Sequence, residues 1–147
     1  MRFSRFVLIA SLLVRQSLYA QPTLPTVGPP VASSHCKGPD GLEGWKLLYR
    51  LPDNLYDPHE RLPLALVLSN KGRVLHRIDG DPIIWDWFFV DNQKVALETG
   101  PLHFGMTCEL IDVQSGKVLE SYDCYNETPS NPPDWVQTLE GGKAKCK

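Results

Sequence analysis

The stretch from Ile83 to Cys124 limits what this chain can become more than any other. Ile83-Ile-Trp-Asp-Trp-Phe-Phe-Val90 is rich in β-branched and aromatic residues, the types that fit a pleated, half-buried surface. Asp91-Asn92 turns it into a second apolar run, Gln93 to Thr99, and Gly100-Pro101 stops the ladder because proline has no N–H to donate. Met106 to Val113 and Lys117 to Asp123 flank Gln114-Ser115-Gly116 as a last hairpin. Four short strands joined by turns point to an antiparallel sheet.

The preceding segment reads the same way. Trp45 to Leu51 is a strand, and the Pro/Asp/Asn-rich run from Pro52 to Arg61 is a loop. Leu62 to Ser69 and Arg73 to Asp79 pair about Asn70-Lys71-Gly72. After Cys124 the pattern changes. Asn131 is a suitable N-cap, Pro132 suits a first turn, and Trp135 and Leu139 share a helical face before Gly141-Gly142. The expected fold is mainly β, a propeller-blade-like antiparallel sheet with one short C-terminal helix anchored by Trp135.

The N-terminus carries an export pattern. Met1 to Arg5 is basic, Phe6 to Val14 is apolar apart from one Ser, and Ala20 precedes Gln21-Pro22. Residues 1–20 read as a signal peptide, residues 21–35 as a Pro-rich flexible segment with four prolines, and residues 36–147 as one β-rich domain. The expected location is secreted or periplasmic, with no stable membrane insertion after cleavage. The mature chain would hold 12 basic against 17 acidic residues, a net charge of −5 without a Lys/Arg cluster, which makes a poor nucleic-acid binder, and no nucleic-acid partner is expected.

The four cysteines, Cys36, Cys108, Cys124 and Cys146, read as two disulfides in an exported chain. Four cysteines allow three connectivities; the one favoured is Cys108 with Cys124 and Cys36 with Cys146. The first pairing has a condition: if Asp112 faces Lys117, a regular ladder sets Cys108 opposite Ser121, so a bulge is required. No Cys-x-x-Cys pair and no Asp-x-Asp-x-Asp-Gly ladder is present, so no metal or other cofactor is expected.

Leu66-Val-Leu-Ser-Asn-Lys-Gly-Arg-Val-Leu75 and Leu110-Ile-Asp-Val-Gln-Ser-Gly-Lys-Val-Leu119 repeat one plan at an offset of 44 residues. That period, with four strands per unit, marks β-propeller blades. From Leu64 to Asp123 the chain resembles bacterial repeats of the TolB-like kind, with Trp87 to Ala96 as the aromatic strand–turn–strand and Asp112 to Leu119 as the outer hairpin. It holds about one and a half such units, where rings use about four to eight blades. The resemblance implies no activity.

Trp85 and Trp87 alternate with Asp86 and are expected to share one face, either as core or as an aromatic platform. His103 and Phe104 lie in the glycine-bounded loop Gly100 to Gly105, a setting where sites occur. Trp85, Trp87, His103 and Phe104 are therefore the candidate ligand-binding residues. No catalytic constellation is evident. The reading is a non-enzymatic exported binding module for a protein or carbohydrate ligand. A small envelope hydrolase using His103 with an acidic partner, and a self-assembling propeller subunit that forms homo-oligomers, are the alternatives.

Overall fold

The computed structural model describes residues 22, 24–52, 60–101, 105–125, 131–141 and 146. Nine strands form two antiparallel sheets. Sheet one contains β1 (Val31–Ala32), β2 (Cys36–Lys37), β3 (Leu42–Arg50), β4 (Arg61–Asn70) and β5 (Arg73–Asp79), with β1 and β2 both on β3. Sheet two is the meander β6 (Ile83–Phe89), β7 (Lys94–Gly100), β8 (Thr107–Asp112) and β9 (Val118–Asp123). One α-helix among the described residues, α1 (Asp134–Glu140), follows. The expected β-rich fold with a short C-terminal helix is present, as two sheets instead of one.

Alternation explains the layers. Leu42, Leu66 and Leu68 of sheet one meet Trp87, Val95, Leu97 and Ile111 of sheet two in the central core. The opposite face of sheet two presents Ala96, Cys108 and Leu110, which α1 covers with Trp135, Val136 and Leu139. Trp135 does anchor the helix, its ring edge-on to Tyr122 at 5.6 Å between centroids. A second cluster gathers Leu47, Tyr49, Leu64, Ala65 and Val67 of sheet one with Ile83 of β6, and Leu24 packs against it. A seven-residue helix is marginal on its own, so its docking is what keeps it helical.

The helix starts later than Asn131 and Pro132 implied. Pro133 is the N-cap, with extended backbone and no side-chain cap bond. A residue preceding proline is disfavoured in the α region, which keeps Pro132 from opening the helix, and the first helical residue is Asp134.

The sequence repeat is also a structural one. Leu68 pairs with His76 and Ser69 with Val74, leaving Leu75 bulged. Leu110 pairs with Glu120 and Ile111 with Val118, leaving Leu119 bulged. The two bulged leucines are equivalent in the repeat. The second bulge meets the condition for the disulfide: it sets Glu109 opposite Ser121 and Cys108 opposite Tyr122. Cys124 then follows on the Cys108 side, with a Cα–Cα separation of 5.8 Å, and the two cysteines are bonded. Cys36 and Cys146 are bonded as well. The hairpins also touch: His76 Nε2 meets the Gln114 carbonyl, and a Cβ on Gly116 would lie 3.1 Å from His76 Nδ1.

The Pro-rich segment is not free up to Cys36, as its composition implied. It runs along β3 as a strap. Val31 pairs with Leu48 and Ala32 with Leu47, and Val27 N–H donates to Arg50 O at 2.9 Å. Where the strap lifts away, Ser33 Oγ accepts from Lys46 N–H at 2.9 Å, and the His35 ring stacks on Trp45 at 4.4 Å. Side chains supply the contacts that the short ladder lacks.

Candidate functional site

The proposed Trp85/Trp87 platform is not formed. Ile84 pairs with Thr99 and Asp86 with Glu98, so Trp85 is the extra residue of a bulge in β6. A bulge breaks the two-residue alternation, and the two indoles go to different places. Trp87 lies between the sheets at 2% exposure, with Phe89 edge-on at 5.4 Å. Trp85 packs with the sheet-one cluster, and its Nε1–H donates to Gly100 O at 3.1 Å. Trp87 is core, and a ligand has no access to it.

His103 and Phe104 lie outside the described residues. The base of their loop is described. A Cβ on Gly100 would sit 2.8 Å from the Gly105 carbonyl oxygen, so the two ends of the loop meet where only glycine fits. The acids near it in sequence do not form a pair. Leu97 faces Glu109 and Glu98 faces Cys108, which puts the two glutamates on opposite faces of sheet two. Burial first, and then Asp81, pushes the Glu109 carboxyl up from its ordinary value. Burial, then Asp86 and Glu140, does the same to Glu98. Two carboxylates separated by a sheet cannot share general acid–base work.

Three of the aspartates between Asp79 and Asp91 are in structural use. Asp79 binds Arg77, Asp86 accepts from Trp87 N–H, and Asp91 accepts from Gln93 and Lys94 N–H across the β6–β7 turn. Among the described residues, no group of three or more His, Cys, Asp or Glu is placed to hold a metal ion.

The concave feature is elsewhere. A groove of about 330 Å³ is lined by Lys37, Gly38 and Pro39 of the strap, Phe88 and Phe89 of β6, Thr138 of α1, and the Cys36–Cys146 disulfide. Phe88 and Phe89 point to opposite faces of β6, so the groove crosses the outer edge of that strand. Its floor depends on Gly38, because a Cβ there would lie 2.4 Å from the Phe89 ring. Cys146 forms a single antiparallel bridge with Trp87, which seats the disulfide on the same edge. Lys37 is the one charged side chain among these lining residues. The arrangement offers aromatic and sulfur surface, and the Thr138 hydroxyl on its wall donates to the Asp134 carbonyl at 2.8 Å.

No protein-family model, curated protein or solved structure matches the chain. Its own geometry carries the functional reading.

Proposed function

We propose that the protein is an exported, non-enzymatic binding module, secreted or periplasmic, that takes an apolar or aromatic group of a protein or carbohydrate ligand. The observation that carries this reading is the groove at the β6 edge, where Phe88, Phe89 and Pro39 surround a cleft within the usual size range of small-ligand sites. Two disulfides are compatible with an oxidising compartment. No helix among the described residues is long and apolar enough to cross a membrane.

Two probes test it, p-cresol for a protein-like ring and methyl β-glucoside for a sugar face. Amide shifts are expected at Lys37, Gly38, Phe88, Phe89 and Thr138 with at least one of them. Thr138→Trp, a change on the groove side of α1, should abolish those shifts and leave the melting temperature within a few degrees of the parent. Shifts scattered over other surfaces, or none with either probe, reject the groove.

The propeller-subunit alternative requires an open sheet face for the next copy. The helix covers one face of sheet two, the two sheets cover each other in the central core, and Tyr49, Leu64 and Ala65 of sheet one are buried in a second cluster with Ile83. The oxidised chain is therefore expected to elute with the mass of a monomer by light scattering. A ring-sized particle would restore the assembly reading and move the search for a site to the interface between copies.

A further inference from the structure

The lining of the groove at the β6 edge is uncharged except at one residue. Phe88, Phe89, Pro39 and the Cys36–Cys146 bond supply contact area, and the Thr138 hydroxyl is engaged by the Asp134 carbonyl. Lys37 supplies the charge, and among the described lining residues there is no Asp or Glu. The acids closest to Lys37 across the ladder and along the chain are engaged elsewhere. Glu43 is its partner on β3, and the Glu43 Oε2 lies 3.6 Å from His35 Nδ1. Asp40 Oδ2 accepts from Asn92 Nδ2 at 2.8 Å. A cationic group thus borders an aromatic cleft.

We infer, on the reading of this groove as the binding site, that its ligand is an aromatic ring carrying a carboxylate: the ring lies against Phe88, Phe89 and Pro39, and the anion meets Lys37. The lysine suits this role. Its methylene stem can lie along apolar surface while the ammonium stays in water. Lys37 is exposed, so it reaches an anion at the mouth of the groove without being buried. The carboxylate fixes which end of the ring faces outward, which the apolar lining alone cannot do.

A ligand cation is the competing choice, because aromatic faces attract cations. Tryptophan is the best such face, and the rings here are phenylalanines. The Lys37 ammonium would also stand against the cation, with no carboxylate in the described lining to offset it. The acidic balance of the chain, 15 basic against 17 acidic residues, does not reverse this. Exposed charges more than about 8 Å apart are largely screened at physiological salt. The sign felt by a ligand is therefore set by the charge that lines the groove.

Three probes that share one ring and differ in charge test this at neutral pH and fixed ionic strength: p-cresol, neutral; 4-hydroxyphenylacetate, an anion; and tyramine, a cation. Dissociation constants are read from the amide shifts of Gly38, Phe88 and Phe89 in the oxidised full chain. 4-Hydroxyphenylacetate is expected to bind roughly two- to fivefold more tightly than p-cresol, the range of an exposed ion pair, and tyramine more weakly than p-cresol. Lys37→Gln should bring the ratios between the three close to one, Lys37→Glu should reverse their order, and Lys37→Arg should keep it. Thr138→Trp should abolish binding of all three. If the three bind the parent equally, if p-cresol or tyramine binds best, if the order survives Lys37→Gln, or if the anion still binds the Thr138→Trp chain, the proposal is overturned, while p-cresol binding in the groove would stand. If none of the three binds, the groove reading falls and the proposal with it. Acetyl-glycyl-tyrosine separates two sources of the same chemistry. Tighter binding than 4-hydroxyphenylacetate identifies the C-terminal aromatic residue of a peptide, weaker binding a free aromatic acid, and the proposal holds in both.

Discussion

Replacing Trp87 with alanine is expected to lower the unfolding free energy by about 3–5 kcal/mol, the usual cost of deleting a fully buried large aromatic. That is a large fraction of the roughly 5–15 kcal/mol that holds a domain folded. The ring is 2% exposed and sits between the sheets, with Phe89 edge-on to it and Gly44 beneath. A Cβ on Gly44 would lie 2.4 Å from the Trp87 ring. Gly44→Ala is therefore expected to cost about 1–3 kcal/mol by overpacking. The two sites touch, so their effects should not add: in a Trp87→Phe background the smaller ring frees space, and Gly44→Ala should cost less than it does alone. Urea unfolding of the four chains of this cycle measures the coupling. If Trp87→Ala unfolds at the parent midpoint, the indole is not core, and the platform reading of the strand returns.

The strands were legible because apolar runs bounded by turn residues mark them. Arg73 to Asp79 was read with the bounds that the structure has, and Leu62 to Ser69 within one residue of them. That the four cysteines form two disulfides followed from their count and compartment, whereas three pairings stayed open. The bulge at Leu119 could be anticipated, because without it Cys108 and Cys124 would not meet. The bulge at Trp85 could not. It has no glycine to mark it, and it exists because Ile84 and Trp87 both serve the central core while Trp85 turns to sheet one. The strap was hidden for a different reason. Two prolines precede Val31, and only four of its residues, in two short pieces, pair with β3. Its hold comes from Ser33, His35 and Cys36, which no strand pattern records. The groove is assembled from positions 36–39, 88–89, 138 and 146. These are far apart in the chain, so no local motif announces it.

The Cys36–Cys146 bond should contribute more to stability than Cys108–Cys124. The first joins residues 110 apart and the second residues 16 apart. In the chain-entropy account, closing a loop of about 100 residues restricts the unfolded chain by about 4.7 kcal/mol, against about 3 kcal/mol for about 15 residues. The expected order of stability is therefore parent, then the Cys108→Ser/Cys124→Ser chain, then the Cys36→Ser/Cys146→Ser chain, read from urea midpoints at equal slope. The long bond should also differ in kind. It ties the strap to the residue that bridges Trp87, and both of its cysteines line the groove. Its loss is expected to reduce p-cresol binding at urea concentrations where the far-UV signal of the sheets is still complete, whereas loss of Cys108–Cys124 should leave binding intact until the sheets unfold. If the two double variants lose stability and binding together and to the same extent, the strap is held by its contacts with β3 alone, and the groove does not depend on the bond that closes the chain.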